Sequence, residues 1–525
     1  MGPHQAIRAD VRDGFVGRED AIWAGALQAY FLCPSAGGPP RVMSTPLPLS
    51  NQDALFLDVE TEHSPMHVAI CLVFESGPTT SLRVDEAEDR ILGFIESRLA
   101  DQPRYRQRLA QSPLEGRPVW VDDPGFDLRE HVQYRSVPLP GHDEQLRSVC
   151  AEIVSPLLDR EKPLWEVWLL DGLEDDRFAL IMKAHHCLVD GVAGIGLLRA
   201  MLDAEPTVSF TSRPLQAKLA PPRALDLAIR EIRSRIDAGL DLSEEAIEAV
   251  REPRATFRRA QRLGRGFLEL FRLEFPPASQ TPLDSAHGGA RRFAWIETEL
   301  ERIEEICAIR GGTLNDVVVA TITLTLEDYL EDHGVGRMAQ NQLDLRVAVP
   351  VDRRDDSLGG SLGNHISMIF ARIPAGDREP LRVLEEVQRS LAEAKRSHVA
   401  DALESVMALA SWTPRFLTRG LTRRALSAHI ANLVVTNIRG PSTPLYLLDA
   451  HLEAAYPVVP LMPEQALGVA VLSYAGTLYW GFNADRDGIR DVNHWAHEVE
   501  RAFDRLHRAA TRIATKDHDG PCLTD

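Results

Sequence analysis

Between residue 205 and about residue 290 the chain loses the alternation of strand-like and helix-like patterning that it keeps on either side. This stretch is rich in Arg, Glu and Pro, with helical pieces and turn clusters, and it divides the chain into two patterned halves. In the first half, Met66 to Phe74 is an apolar, β-branched run suited to a buried strand. Val84, Ala87, Ile91, Ile95 and Leu99 recur at three- and four-residue spacing, which predicts a helix with one apolar face. Phe178 to Ala184 predicts a second strand and Val192 to Leu202 a second helix. In the second half, Val317 to Leu330 fits a largely buried helix, while Leu343 to Val351, His365 to Ile373 and Leu433 to Thr436 fit strands. Ala466 to Tyr474 and Thr477 to Asn483 flank Ala475-Gly476, a hairpin signal, and Arg490 to Arg512 predicts a closing helix. A chain of 525 residues is too long for one core. The pattern therefore predicts an α+β fold of two halves joined by a long crossing segment.

The partition expected is an N-terminal domain over 44–204, a linker with amphipathic helices over 205–290, a C-terminal domain over 291–515 and a tail over 516–525. Residues 1–43 differ in character, end in the loop-like Pro34-Ser35-Ala36-Gly37-Gly38-Pro39-Pro40, and are expected to be a poorly ordered extension. Acidic Glu19 and Asp20 precede the short apolar run Ile22 to Cys33, where a signal peptide needs positive charge, so export is not expected. No run approaches the roughly 18 to 20 apolar residues of a membrane-spanning helix. A net charge of -19 argues against a nucleic-acid binder. The six cysteines lack C-x-x-C spacing and read as reduced thiols of a cytoplasmic protein, without a disulfide frame or a zinc site.

The segment that carries chemistry is His185-His186-Cys187-Leu188-Val189-Asp190-Gly191. Strand, histidine pair, glycine and helix follow in that order, which places the histidines at a strand end where a loop can present them to a cleft. Gly191 permits a tight turn. An imidazole with a pKa near neutrality can take a proton from an attacking alcohol and return it to a leaving thiolate. A thioester is already activated, so no covalent enzyme intermediate is needed. Adjacent histidines point apart and no third ligand stands nearby, so no metal is expected. Gly359-Gly360-Ser361-Leu362-Gly363 matches the G-x-S-x-G pattern of a serine hydrolase. That elbow needs a strand before it and a helix after it; here a polar run precedes it and a strand-like run follows.

His185 to Gly191 resembles the active-site signature of the CoA-dependent acyltransferase superfamily, which includes chloramphenicol acetyltransferase and peptide-synthetase condensation domains. Pro163-Leu164-Trp165-Glu166 resembles the Pro-Leu-Trp motif of the bacterial wax ester synthase/diacylglycerol acyltransferase family, and Leu157 to Arg160 and His131 fit the stretch before it. Asn315-Asp316 is similar to that family's Asn-Asp motif. Leu362-Gly363-Asn364 and Thr436-Asn437-Ile438-Arg439-Gly440-Pro441 match later motifs, and Asp53, Pro65, Met66 and His67 fit the N-terminal pattern. The resemblance runs from about residue 44 to 515. Two departures bear on the acceptor. Arg439 stands in a motif usually written Ser-Asn-Val-Pro-Gly-Pro, and Pro282-Leu283-Asp284 stands where a Leu-Asn-Gly element is common.

The resemblance implies two chloramphenicol-acetyltransferase-like domains, each a mixed sheet with flanking helices, and an active site in a tunnel between them. It implies His186 as general base, with His185 and Asp190 completing the catalytic set. Asp190 is read as structural, its partner being Arg104, Arg106 or Arg108. Asn315 reads equally as an oxyanion donor or a helix N-cap, and Asp316, Gly191, Trp165, Asn364 and Asn437 join it as substrate-binding candidates. The implied substrates are acyl-CoA, which is a substrate and not a cofactor, and diacylglycerol or a fatty alcohol. Another hydroxyl acceptor (a glycolipid or a polyketide) and an inactive lipid- or acyl-CoA-binding protein are the alternatives. Substrates of this kind call for a peripheral contact with a membrane face or lipid inclusion. Arg251 to Phe275, with Arg254, Arg258, Arg259, Arg262 and Arg265 beside Phe257, Leu263, Phe267, Leu270 and Phe271, is the first candidate for it; Trp412 to Leu426 is the second. An ordinary linker helix is the other reading of the first. Oligomeric state is not legible.

Overall fold

The computed structural model describes residues 47–77, 84–100, 102–114, 116–188, 201–211, 222, 224–237, 277–284, 288–352, 366–376, 379–396 and 429–518. The extension, both candidate lipid-contact segments, Asp190, Gly191, Asn364 and the Gly-x-Ser-x-Gly segment lie outside the described residues, as does most of the helix expected after the histidine pair.

Strands are numbered in chain order: β1 (Leu47–Pro48), β2 (His67–Glu75), β3 (Gln107–Gln111), β4 (Pro118–Asp122), β5 (Val132–Ser136), β6 (Trp165–Asp171), β7 (Arg177–His185) and β8 (Arg291–Glu299), then β9 (Leu345–Asp352), β10 (Ile366–Ile373), β11 (Leu433–Arg439), β12 (Tyr446–Leu447), β13 (Ala450–Val458), β14 (Leu467–Tyr474) and β15 (Thr477–Asp485). The helices used below are α1 (Asn51–Val59), α2 (Val84–Leu99), α3 (Asp143–Val154), α4 (Ala224–Asp237), α5 (Leu300–Arg310), α6 (Leu314–Asp332), α7 (Pro380–Arg396) and α8 (Val492–His518).

Two mixed sheets carry the fold. The first has the order β12-β13-β2-β7-β6-β5, and the second β10-β9-β11-β14-β15-β8. Helices flank both, as an α+β fold requires to bury the apolar face of each sheet. Ile91, Phe94, Ile95 and Leu99 of α2 and Leu146, Val149 and Ile153 of α3 share a core with β2, β6 and β7. Ile91, Ile95 and Leu99 of the spacing read from the sequence thus lie on the buried face of α2. In the second half, α6, α7 and α8 pack their apolar residues with β9, β11, β14 and β15. The expected β14–β15 hairpin turns at Ala475 and Gly476, which both have positive φ (46° and 86°), the pattern of a type I′ turn. A small antiparallel sheet, β1-β4-β3, stands apart from the two large ones, and Leu227 of α4 packs on Val119 and Val121 of its β4.

One strand crosses from the second half of the chain into the first sheet. Residues 446–458 fall in the stretch assigned to the C-terminal domain, yet β13 pairs antiparallel with β2, from His451 opposite Glu75 to Val458 opposite Ala69. β13 thereby covers an edge of β2 that an apolar strand could not leave open. Alternation of side chains marks a segment as a strand and is silent about which sheet receives it.

This exchange also ties the halves together. Trp295 of β8 stacks on Tyr456 of β13 with ring centroids 4.4 Å apart, and its indole N–H donates to Asp143 of α3 at 3.2 Å. The Tyr456 hydroxyl donates to Glu297 at 2.6 Å. Gly481 of β15 passes so close to β13 that a Cβ there would lie 1.8 Å from the Pro457 carbonyl oxygen. Gly481→Ala is therefore expected to cost about 1–3 kcal/mol through forced backbone displacement. Urea unfolding should show a lower midpoint at an unchanged slope, and an unmoved midpoint would contradict this packing.

Among the described residues no single helix is long and apolar enough to cross a membrane. The bent pair α5–α6 meets the test by length and composition only, and α6 is largely buried within the second core.

Candidate active site

The histidine pair sits where the first sheet ends. β7 lies between β2 and β6, with His185 opposite His67 and Ala184 opposite Trp165. The His185 N–H donates to the Leu164 carbonyl at 2.9 Å, and the His186 N–H donates to the Met66 carbonyl at 2.8 Å. The chain then turns, and the Leu188 N–H closes on the His185 carbonyl at 2.9 Å. Both neighbouring strands therefore grip the backbone of the pair. Successive side chains of a strand leave on opposite faces, and the two imidazoles enter different surroundings.

His185 is buried beneath α1. Its Nδ1 accepts the Cys187 N–H at 3.0 Å, and its Nε2 lies 3.3 Å from Oε1 of Glu60, the residue that caps the C-terminus of α1. The same oxygen lies 3.4 Å from Nε2 of His67 and accepts the Met66 N–H at 3.1 Å. Arg160 closes the other side of the carboxylate, donating to Oε2 from Nε at 3.1 Å and from Nη2 at 2.6 Å. Lys183, on the same face of β7, donates to the carbonyls of Ile153 and Pro156 at the end of α3, where a cation offsets the negative end of the helix dipole.

His186 is only partly buried, and it stacks on Phe56 of α1 with ring centroids 3.8 Å apart and planes at 12°. Its Nδ1 is enclosed and has no hydrogen-bond partner among the described residues. A polar atom in that condition is costly unless a ligand completes it.

The electrostatics follow from burial. Burial by itself raises the Glu60 carboxyl, but the contacts from His185, His67 and Arg160 outweigh it and hold Glu60 well below the ordinary carboxylate range. Burial lowers His186 to about 4, outweighing its own backbone, which raises it, and the neighbouring His185 adds a smaller lowering. The near-neutral pKa expected from the sequence is therefore not what the fold provides, and His186 is a neutral imidazole at physiological pH. His67 is likewise lowered to about 4, mainly by burial. Burial pushes the Cys187 thiol well up, so it stays protonated beside the base and is not a nucleophile.

The remaining candidates divide between the halves. Trp165 begins β6 and is 1 % exposed. Its indole N–H donates to the Tyr105 carbonyl at 2.7 Å, and its ring stacks on His131, whose Nδ1 meets the Trp165 carbonyl at 2.8 Å. Asn315 and Asp316 belong to the first turn of α6, but the N-cap is Thr313. Asp316 is committed to that cap: its Oδ2 accepts the Thr313 N–H at 2.7 Å and the Thr313 hydroxyl at 2.9 Å. Asn315 is thus not the cap, and its Oδ1 is buried without a hydrogen-bond partner among the described residues. Asn437 is exposed on β11, opposite Val471 of β14.

Of the arginines considered for Asp190, Arg108 lies 3.9 Å from Asp123. Arg104 stacks over Trp120, is lowered by burial against the opposing pull of Asp53 and Cys187, and keeps a buried Nη1 without a hydrogen-bond partner among the described residues. The pairing itself involves a residue outside those described.

Sequence reasoning passed over Glu60 and Phe56. Glu60 is one of several acidic residues between Asp58 and Glu62, and only its burial beside two histidines distinguishes it. Arg160 and His67 were noted as motif positions without a role.

Solved structures share this architecture. The first condensation domain of the calcium-dependent antibiotic synthetase matches with a TM-score of 0.52 at 16% identity, over 89% of this chain and 96% of that one. The wax ester synthase/diacylglycerol acyltransferase from Marinobacter aquaeolei matches with a TM-score of 0.63 at 28% identity, over 88% of this chain and all of that one. Fold and site together are those of a two-domain acyltransferase.

Models of the wax ester synthase/diacylglycerol acyltransferase catalytic domain and of the WS/DGAT C-terminal domain match residues 49–318 and 362–507. A probable diacylglycerol O-acyltransferase of Mycobacterium tuberculosis is 31% identical over 87% of this chain and 95% of that protein. The O-acyltransferase WSD of Acinetobacter baylyi is 28% identical over 86% and 95%. The chain belongs to the wax ester synthase/diacylglycerol acyltransferase family and is an O-acyltransferase.

Proposed function

We propose that this O-acyltransferase moves a long-chain acyl group from coenzyme A to the hydroxyl of diacylglycerol, of a fatty alcohol, or of both, with His186 as general base. The observation that carries the proposal is the state of His186: neutral, gripped through its backbone, stacked on Phe56 and with a ring nitrogen that has no hydrogen-bond partner among the described residues. In the step proposed, His186 takes the proton of the acceptor hydroxyl as that oxygen attacks the thioester carbonyl. The tetrahedral intermediate collapses, the carbon–sulfur bond breaks, and the thiolate of coenzyme A takes the proton from the imidazolium.

A base that is weakly basic when bare becomes a strong acid once protonated, which favours the second transfer. Asn315 is proposed to donate to the oxyanion, supported by its place in the first turn of α6, where helix N–H groups favour negative charge. The substrates argue for a site in a tunnel between the halves, and for a cytoplasmic protein that meets a membrane face or lipid inclusion peripherally.

The test is thiol release from palmitoyl-CoA with hexadecanol or dioleoylglycerol, with identification of the lipid formed. Acceptor-dependent release supports transfer, and the better acceptor names the activity. Release that ignores the acceptor marks a thioesterase and refutes the proposal.

The pH dependence has a definite sign. His186 acts unprotonated and is lowered from 6.5 to about 4, so activity is present above that value and lost as pH falls through it. Thiol release followed with a pyridyl disulfide should give kcat/KM with a single acid limb near the about 4 of the free enzyme's His186. A limb near the ordinary histidine value of about 6.5 would contradict a desolvated base.

A further inference from the structure

Resting on the reading of His186 as base, we infer that Glu60 is a positioning residue that sets the tautomer of His185, and through it the turn that presents His186. The reasoning starts from donors and acceptors. The Cys187 N–H can only donate, and it lies 3.0 Å from His185 Nδ1, so Nδ1 presents its lone pair and the ring proton resides on Nε2. That nitrogen makes no aligned hydrogen bond among the described residues, and the acceptor beside it is Glu60 Oε1, 3.3 Å away. An ionised carboxylate has no proton to give and accepts only, so Glu60 selects the Nε2–H form.

In the other tautomer two N–H groups would confront each other at Cys187, and the turn would lose one of its ties. The ties are few. The Cys187 N–H on His185, the Leu188 N–H on the His185 carbonyl and the His186 N–H on the Met66 carbonyl fix the backbone on both sides of the base.

Glu60 cannot swing away from this duty. Its side chain is 3 % exposed and is held from behind by two hydrogen bonds from Arg160. Its backbone N–H donates to the Phe56 carbonyl at 3.1 Å. The end of α1 is therefore one piece that stacks Phe56 on His186 and aims Glu60 at His185. His67 shares Oε1 at 3.4 Å, but its Nε2 also faces the Leu158 N–H at 3.4 Å, and it contacts neither Cys187 nor the turn through a hydrogen bond.

The test uses the full chain labelled with ¹⁵N-histidine, in which ring-nitrogen shifts report each tautomer without any turnover. The His185 signal is assigned by its loss in His185→Asn. Glu60→Gln replaces an acceptor by a group that can donate to Nε2. It should move His185 to the Nδ1–H form and lower kcat by about 100-fold, as a misplaced base does, with KM for palmitoyl-CoA within about threefold. Glu60→Asp, which keeps a carboxylate, should retain the Nε2–H form and serves if the glutamine variant does not fold.

In His185→Asn the amide oxygen takes the place of Nδ1 and holds Cys187 without help from Glu60. There Glu60→Gln should cost less than about threefold, since coupled residues are non-additive. An unchanged tautomer in Glu60→Gln, a flipped one in Glu60→Asp, or the same loss of kcat in both backgrounds would each overturn the inference. A failed assignment of His186 as base would show instead as full activity in His186→Ala, whatever the tautomer of His185.

Discussion

Replacing His186 with alanine is expected to lower kcat by about 10²- to 10⁴-fold with either acceptor, the range that a positioned general base supplies. The loss should appear in kcat and not in the binding of acyl-CoA, because no tie of the imidazole to the substrate is needed before the proton moves. Folding should survive, since the grip on residue 186 is a backbone hydrogen bond to Met66 that alanine keeps. The residual rate should remain above that of free solution through orientation of the two substrates. Intact-mass measurement during turnover should find no acyl-enzyme, since the thiol next in sequence, Cys187, is held protonated by burial. An alanine variant within threefold of the parent, about 0.65 kcal/mol of barrier by the rate relation, would remove His186 from the chemistry.

How much of this was legible in the sequence depends on whether a feature is local. Helix α2 was readable because its buried stripe, Ile91, Ile95 and Leu99, repeats within a few residues. The β14–β15 hairpin was readable because positive φ at two successive residues narrows the choice to residues such as Gly476. The strand and turn that carry the histidine pair were readable for the same reason.

The membership of β13 in the first sheet was not, since its partner β2 lies several hundred residues earlier and only the assembled edge selects it. Glu60 was hidden in a similar way. Its importance lies in a distance of 3.3 Å to a histidine 125 positions away (185 minus 60) and in burial that brings Arg160 against it. The pKa of His186 also differs from the sequence expectation, because its lowering to about 4 comes mainly from the protein packed around the ring.

Trp165→Ala is expected to cost about 3–5 kcal/mol of folding stability, the range for deleting a fully buried tryptophan. The ring packs against those of Tyr105, Phe126 and His131. The change also leaves the Tyr105 carbonyl without its donor at 2.7 Å. Trp165→Phe separates the two effects. It keeps most of the apolar volume and loses the indole N–H, so its cost should be nearer the about 1–3 kcal/mol of one orphaned buried acceptor.

The site should feel the larger change. Trp165 is opposite Ala184, and its neighbour Leu164 supplies the carbonyl that holds the His185 N–H. A cavity behind β6 therefore loosens one of the two strands that grip the base. Urea midpoints and kcat measured on the same preparations decide the matter. Trp165→Ala should lose both stability and turnover, while Trp165→Phe should lose some stability and keep its kcat. Loss of kcat in Trp165→Phe at nearly full stability would show that the indole N–H serves the reaction itself, and Trp165 would then have to be moved from the core of the fold to its chemistry.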